Sequence, residues 1–293
     1  MQIRYNEGLE SWHTFGLQAK AKQFVILEQE SDLTVLPEIL KQFPEIQILG
    51  GGSNVVFTQD ISGTILRMAI IGWTTEQKPD HTLLIANAGE TWDDIVQLAV
   101  QNGWYGIENL ALIPGTIGGA PVQNIGAYGA ELKDTFAWLE AMELRTGKTQ
   151  RFSAQDCRFG YRNSVFKQFP GQFLISRVAL ALPKKPDWKL HYDQMDAELN
   201  GNPTLQGVYD AVVKRRTSKL PDFRKLGNCG SFFQNPVVSL ETFSGLQQTY
   251  PDIKAFPAGQ EMKLSAGWLI EKAGWKGKRM GNVGCYEKHA LVL

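Results

Sequence analysis

The chain has 293 residues, of which 30 are basic and 30 are acidic, so its formal net charge is zero. This neutrality excludes a general electrostatic binder of nucleic acid or membrane surfaces, and the length is enough for two or three domains. The cysteines Cys157, Cys229 and Cys285 are far apart and form no C-x-x-C pair, which predicts reduced thiols and no metal site. The sequence has no signal-peptide core and no run of about 18 apolar residues, so we expect a cytoplasmic protein that does not enter a membrane.

The first elements of the chain are a loop, a strand and a helix. Residues 11–16 form a short polar and aromatic loop, and residues 24–28 are predicted to be a strand. Residues 33–43 show helical spacing of apolar side chains, with Pro37 in the first turns of the predicted helix.

A triple-glycine turn follows the next strand. Residues 46–49 lead into Gly50-Gly51-Gly52-Ser53-Asn54, and a second strand is predicted after the turn. The spacing differs from the dinucleotide fingerprint, and no helix follows. Successive N–H groups in such a turn can bind an anion, with Ser53 and Asn54 as further donors. The residues alone leave a tight hairpin and a phosphate site equally open.

Strands and helices alternate through the middle of the chain. A helix is predicted after Thr91 as its N-cap, with Asp93 and Asp94 in the first turn. A later predicted helix ends in the basic run Lys214-Arg-Arg216, which is explained by the favourable interaction of positive charge with the C-terminal end of the helix dipole. The other predicted elements are strands at residues 63–67, 82–89, 138–144 and 173–182, a boundary at 183–186, helices at 208–218 and within 265–277, and a final strand at 289–293.

Residues 113–129 contain five glycines and two prolines, together with apolar side chains. This composition excludes a regular helix or a central strand. A loop of this length and apolarity favours contact with a ligand over a buried structural loop.

The segment Glu108-Asn-Leu-Ala-Leu-Ile-Pro-Gly-Thr-Ile-Gly-Gly-Ala-Pro-Val-Gln-Asn-Ile-Gly-Ala-Tyr-Gly-Ala-Glu131 resembles the flavin loop of the UDP-N-acetylenolpyruvoylglucosamine reductase family. Members of this family make UDP-N-acetylmuramate for bacterial peptidoglycan. The resemblance runs from Ser11 to the end of the chain and is closest to the subgroup with an extra tyrosine-bearing loop. It implies FAD on two glycine loops, with contacts from Gly50, Gly51, Gly52, Ser53, Asn54, Pro114, Gly115, Thr116, Gly118, Gly119, Asn124, Gly126, Ala127 and Tyr128.

The same resemblance implies catalytic and substrate-binding residues. Arg162 occupies the position of the catalytic arginine, which would stabilise charge on the substrate carboxylate. Ser231 occupies the position of the proton donor, and no hydrolase frame surrounds it. The implied substrate contacts are Tyr161, Tyr192 on the nucleotide sugar, Lys219 on the diphosphate and Asn235.

The implied reaction is the NADPH-dependent reduction of UDP-N-acetylglucosamine enolpyruvate by a monomeric enzyme, with NADPH and the sugar using one pocket in turn. The chain stops after His289-Ala-Leu-Val-Leu293, before the segment that carries a catalytic glutamate in the family. We therefore also consider an FAD- and UDP-sugar-binding protein with little or no turnover. A third alternative is an oxidase or dehydrogenase of small alcohols with the same flavin fold, but this would leave the Ser231 segment unexplained.

The predicted fold is α+β: a two-subdomain FAD-binding fold of the vanillyl-alcohol-oxidase type followed by an α+β substrate domain. The expected regions are residues 1–60 and 61–183 for the two FAD-binding subdomains, 184–204 for the tyrosine-bearing linker, and 205–293 for a substrate domain shorter than that of the family.

Overall fold

The computed structural model describes residues 1–42, 45–191 and 195–293. It divides into two compact units, Met1–Ser53 with Phe57–Arg216, and Asn54–Val56 with Thr217–Leu293. Tyr192, a predicted substrate contact, lies outside the described residues.

The first sheet has four strands in the order β1-β2-β4-β3. The pair β1–β2 is antiparallel, whereas β2–β4 and β3–β4 are parallel. Helix α1 covers one face of the sheet, where Leu36 and Leu40 pack in the same buried cluster as Val25 and Leu66. The elements are β1 (Gln2–Gly8), β2 (Lys20–Leu27), α1 (Glu30–Leu40), β3 (Ile46–Leu49) and β4 (Ile61–Met68).

Two details of this region differ from the sequence prediction. Helix α1 begins at Glu30, because Gln29 and Asp32 cap its start reciprocally, and Pro37 therefore lies in the helix interior. No strand follows the triple-glycine turn directly: residues 55–60 are irregular, and the next strand starts at Ile61.

The second sheet has five antiparallel strands in the order β10-β9-β11-β6-β5. Strand β11 is paired on both sides, and most of its side chains are buried. Helix α2 contributes Trp92, Ile95, Val96 and Ala99 to the core. The elements are β5 (Trp73–Gln77), β6 (His81–Asn87), α2 (Trp92–Gln101), a short hairpin of β7 (Gly126–Ala127) and β8 (Ala130–Glu131), β9 (Phe136–Glu143), β10 (Thr149–Ser153), α3 (Ala154–Cys157), α4 (Val165–Gln168) and β11 (Phe173–Pro183).

The rest of the chain adds helices and small sheets. Strands β12, β13 and β14 form a three-stranded sheet in the order β12-β14-β13. The predicted final strand is wrong: residues 289–293 form only an isolated bridge, between Val292 and Ser231. The elements are α5 (Met195–Glu198), α6 (Leu205–Lys219), β12 (Val237–Ser239), α7 (Leu240–Thr249), β13 (Ala255–Ala258), β14 (Glu261–Leu264), α8 (Ala266–Lys272), β15 (Arg279–Met280) and β16 (Val283–Gly284).

The three cysteines are buried free thiols. Burial, with a smaller contribution from the charge of Asp156, raises the pKa of the Cys157 thiol to about 12. Among the described helices, none combines the length and apolarity that crossing a bilayer requires.

Candidate functional site

The two glycine-rich segments touch each other through their backbones. We call residues 50–53 the first glycine loop and residues 113–129 the second glycine loop. A Cβ atom on Gly51 would lie 2.6 Å from the Cα of Gly115, so this close approach of the two backbones requires a glycine at position 51. The hydroxyl of Ser53 donates a hydrogen bond of 2.9 Å to the carbonyl of Pro114. The loops therefore form one continuous surface in the first unit; Asn54, grouped with them in the prediction, belongs to the second unit.

The second glycine loop is fixed to the segment that joins β6 to α2. The N–H of Gly118 donates to the carbonyl of Ala88 at 3.0 Å, and the N–H of Trp92 donates to the carbonyl of Gly115 at 3.1 Å. A Cβ on Gly118 would lie 2.5 Å from the Cβ of Ala88. Internal packing thus requires a glycine at 118. By contrast, a Cβ on Gly119 would meet only Thr116, at 3.4 Å, so this position has room for a methyl group.

The glycine loops carry N–H groups that protein acceptors do not use. Within the residues that the structure describes, the amides of Gly51, Gly52, Ser53, Gly115 and Thr116 donate to no protein acceptor. Backbone N–H groups in glycine turns that lack an internal acceptor can bind anions such as a diphosphate. The donor set therefore fits the diphosphate of FAD, and the residues in contact at the loop junction are the ones that would hold it.

Both polar atoms of the Asn124 side-chain amide form hydrogen bonds with other groups of the protein. Its Nδ2 donates to Glu131 and to the carbonyl of Gly160, both at 3.1 Å, and its Oδ1 accepts from the N–H of Lys133 at 3.1 Å. Its backbone is left-handed, with φ 44°. Asn124 thus holds the second glycine loop against the segment that carries Arg162.

Arg162 contacts the second glycine loop directly. It lies at the tip of a turn that Gly160 and Asn163 close with reciprocal backbone hydrogen bonds of 3.0 and 3.2 Å. Its Nη2 donates to the carbonyl of Gly126, and its guanidinium lies 5.2 Å from the ring centre of Tyr161. Its backbone is left-handed, with φ 52°, a conformation that is uncommon outside glycine and often found at functional sites. The structure thus brings together Arg162, Tyr161 and the Gly126–Ala127 strand.

Tyr128 is positioned by a residue that sequence reasoning missed. The buried amide of Asn109 donates to the carbonyls of Tyr128 and Lys189, both at 2.9 Å. Beside Asn109 lies the buried Glu108, whose Oε2 accepts from the N–H of Gly106 at 2.6 Å. Burial raises the pKa of the Glu108 carboxyl, although hydrogen bonds from backbone N–H groups oppose this effect.

Arg216 is a second missed residue beside the second glycine loop. Its Nη2 donates to the carbonyl of Leu112 at 3.2 Å, and its buried Nε has no acceptor among the described residues. Burial lowers the pKa of Arg216, and the charge of the nearby Asp93 opposes this. The sign of Arg216 in the sequence was the basic run at 214–216, which could also be explained by the interaction of positive charge with the helix dipole. A buried guanidinium with an unused N–H donor is better explained by an anionic ligand than by the helix dipole.

In the second unit, Ser231 and Asn235 belong to a segment anchored to the residues around Val292. Ser231 is exposed, and its neighbour Phe232 donates its N–H to the carbonyl of Leu291 at 2.8 Å. The Oδ1 of Asn235 accepts from the N–H of Ala266 at 2.9 Å and so supplements Ser265, the N-cap of α8. This leaves the amide NH₂ of Asn235 as the group that can meet a ligand. Lys219 is exposed at the end of α6.

Comparison with known proteins identifies the domains that contain these residues. Residues 21–153 match a family model described as an FAD binding domain, and these residues contain both glycine loops. Residues 222–293 match the model of the UDP-N-acetylenolpyruvoylglucosamine reductase C-terminal domain. The solved structure of this reductase from Thermus caldophilus covers 99% of this chain and 86% of its own, with a TM-score of 0.68 and 23% sequence identity, which supports the fold. The chain is therefore an FAD-containing protein with the α+β flavin fold.

Curated relatives define the family. The UDP-N-acetylenolpyruvoylglucosamine reductase of Bdellovibrio bacteriovorus is 46% identical over 301 residues, covering 100% of this chain and 89% of the relative. The enzyme of the same name from Flavobacterium johnsoniae is 41% identical over 302 residues, with the same coverage. The chain belongs to the UDP-N-acetylenolpyruvoylglucosamine reductase family, and is an FAD- and NADPH-dependent oxidoreductase. The predictions of family, fold class, reductase function and cofactors are confirmed.

Proposed function

We propose that this protein reduces UDP-N-acetylglucosamine enolpyruvate to UDP-N-acetylmuramate, using NADPH, and that Arg162 and Ser231 are its catalytic residues. The observation that carries the residue assignment is the hydrogen bond from Arg162 to Gly126. It fixes a guanidinium against the loop that belongs to the FAD-binding domain. A fixed two-pronged donor at that position suits a carboxylate whose charge grows during the reaction.

The chain's own residues hold the cofactor and set its position. The unused N–H groups of the first and second glycine loops would bind the diphosphate, and the Gly126–Tyr128 segment would contribute further contacts to the cofactor. FAD, when bound, supplies the hydride chemistry that no amino-acid side chain provides. The protein contributes orientation, charge and a proton.

Arg162 and Ser231 would have two different roles in the reduction of the substrate. Addition of a hydride to C3 of the enolpyruvyl group moves an electron pair towards C2 and the carboxylate. Arg162 would stabilise this negative charge, and the hydroxyl of Ser231 would give its proton to C2, which completes the addition of two hydrogens across the double bond.

The remaining predicted residues would bind the UDP-sugar. Lys219 would meet the diphosphate, Tyr161 and Tyr192 the sugar region, and the free NH₂ of Asn235 a polar group of the substrate. NADPH and the sugar would use the same pocket in turn, in a monomeric cytoplasmic enzyme.

Two half-reactions test the proposal. In stopped-flow absorbance, NADPH should bleach the bound flavin, and the enolpyruvyl sugar should then restore its colour. Ser231→Ala should slow only the second step, by about 10²- to 10⁴-fold, because it removes a general acid. Ser231→Thr keeps a hydroxyl and is the matched control, with a smaller loss. Equal losses in both steps would show that Ser231 is structural. Sugar binding to the unmodified chain without colour recovery would instead support the non-catalytic alternative.

A further inference from the structure

Arg67 lies at the point where the first sheet runs into the first glycine loop. In the parallel pair β3–β4, Arg67 is the partner of Leu49. Leu49 is the last residue of β3, and Gly50 follows it directly. Neighbouring strands lie about 4.8 Å apart. Arg67 therefore emerges beside the start of the loop.

The charge of Arg67 has no protein counterpart. Its buried Nε has no hydrogen-bond acceptor, and no carboxylate forms an ion pair with it, within the described part of the chain. Its guanidinium lies 5.6 Å from the ring centre of Trp12, and burial lowers its pKa. A cation–π contact offsets only part of the cost of withdrawing an unpaired cation from water.

Arg4 provides the contrast. Its guanidinium also lies 5.6 Å from the ring centre of Trp12. However, Arg4 forms a 2.9 Å ion pair with Glu7, which also accepts from Nε1 of Trp12 at 3.0 Å. Of these two arginines on one indole ring, Arg4 is neutralised by a carboxylate, whereas Arg67 has no carboxylate partner among the residues that the structure describes.

Trp12 connects Arg67 to the first glycine loop. A Cβ on Gly52 would lie 2.1 Å from the carbonyl oxygen of Trp12, so the two backbones are in direct contact. The N–H of Thr14 donates to the carbonyl of Gly52 at 3.1 Å. The ring that orients Arg67 is thus fixed to the loop whose N–H groups remain unused.

We propose that Arg67 is a further cofactor-binding residue, whose guanidinium supplies positive charge to the FAD diphosphate at the first glycine loop. The proposal rests on the FAD assignment and adds a charged residue that the glycine motif does not contain. Backbone N–H groups contribute only partial charges, whereas a diphosphate carries full negative charges. An unpaired guanidinium beside the loop meets this need.

The test compares ligands with and without phosphate. The full chain, stripped of flavin and reconstituted, is titrated with FAD and with riboflavin, and binding is followed by flavin fluorescence. Arg67→Met should weaken FAD binding about 10- to 100-fold, since a charged hydrogen bond is lost, and should leave riboflavin binding unchanged. Arg4→Met, the matched control on the same ring, should leave both affinities unchanged.

The outcomes separate this proposal from the cofactor assignment. An unchanged FAD affinity in Arg67→Met, or an equal loss for FAD and riboflavin, would overturn the role of Arg67. Failure of the unmodified chain to bind FAD would overturn the flavin site itself, and this proposal with it. If Arg67→Met does not fold, Arg67→Lys serves instead. It keeps the charge but lacks the Nε donor, and it should weaken FAD binding several-fold without affecting riboflavin.

Discussion

The guanidinium of Arg162 donates a hydrogen bond to the carbonyl oxygen of Gly126. This contact joins the residue proposed to act on the substrate to the loop proposed to hold the cofactor. A Cβ on Gly126 would lie 2.9 Å from Nη1 of Arg162, so a side chain at 126 would displace the guanidinium. The proposed reaction centre is therefore organised by the packing of an arginine onto a glycine backbone.

We expect Arg162→Lys to impair reduction of the sugar much more than reduction of the flavin. Lysine keeps a charge but lacks the planar, two-pronged donor, and the loss of such preorganised stabilisation slows reactions by about 10²- to 10³-fold. Stopped-flow rates of the two half-reactions measure the effect. Arg158→Lys is the control, because Arg158 is exposed and also has a left-handed backbone. Equal rates in the two variants would remove Arg162 from the reaction.

Gly51→Ala and Gly119→Ala should separate loop packing from cofactor contact. The new methyl at 51 would collide with the backbone of Gly115 at 2.6 Å, so we expect a lower melting temperature together with lost FAD. The methyl at 119 meets only ordinary contacts. If Gly119 faces FAD, Gly119→Ala should retain its melting temperature in the flavin-free form and bind FAD weakly. Full FAD content in Gly119→Ala would place the cofactor elsewhere along the loop.

The sequence predicted the two loops because glycine-dense runs have few structural explanations. It did not predict their contact at Gly51 and Gly115, since this depends on long-range packing of separate strands. Gly118 shows the same limit of sequence-based prediction. The glycine-rich composition of its loop favoured contact with a ligand at this position, whereas in the structure Ala88 occupies the space beside Gly118. Arg67 was recognisable in the sequence as one charged residue in an apolar strand. Its lack of a hydrogen-bond acceptor or carboxylate partner among the described residues could not be predicted, because it depends on which residues the fold places around it.

The sequence prediction of where helix α1 begins was also wrong. The helix was expected to start near Leu33, where the helical spacing of apolar side chains begins, and this start placed Pro37 in the first turns, where proline is tolerated. The reciprocal capping by Gln29 and Asp32 outweighed this preference and moved the start to Glu30. The signal for this start, a Gln followed by Asp three residues later, was present but weaker than the proline rule.

Asn235 should show separable structural and substrate effects. Asn235→Ala removes the acceptor for the N–H of Ala266, while the N-cap Ser265 remains, and should destabilise the protein by about 0.5–1.5 kcal/mol. Asn235→Asp keeps the accepting oxygen, places a negative charge at a helix N-terminus and should preserve the melting temperature. It also replaces the NH₂ donor with a charge that repels a diphosphate, so the KM for the sugar should rise. An unchanged KM in Asn235→Asp would leave Asn235 only its capping role.

Glu108→Gln should change how stability depends on pH. Burial raises the pKa of Glu108 above its ordinary value of 4.5 in the folded chain. Between the unfolded and the folded pKa, the folded state holds a proton that the unfolded state has lost. Stability contributed by this group is therefore full below the unfolded pKa, falls as the pH rises to the folded pKa and is constant above it.

Glutamine cannot ionise, but its Oε1 can still accept the N–H of Gly106. The stability of Glu108→Gln relative to the unmodified chain should therefore increase across that window, by about 1.4 kcal/mol for each unit of pKa difference. Urea unfolding from about pH 4 to pH 8, followed by circular dichroism, measures the difference. Glu10→Gln, at an exposed position, is the matched control. Parallel stability curves for Glu108→Gln and the unmodified chain would mean that Glu108 ionises as readily in the folded chain as in the unfolded one, and burial would then not control its proton.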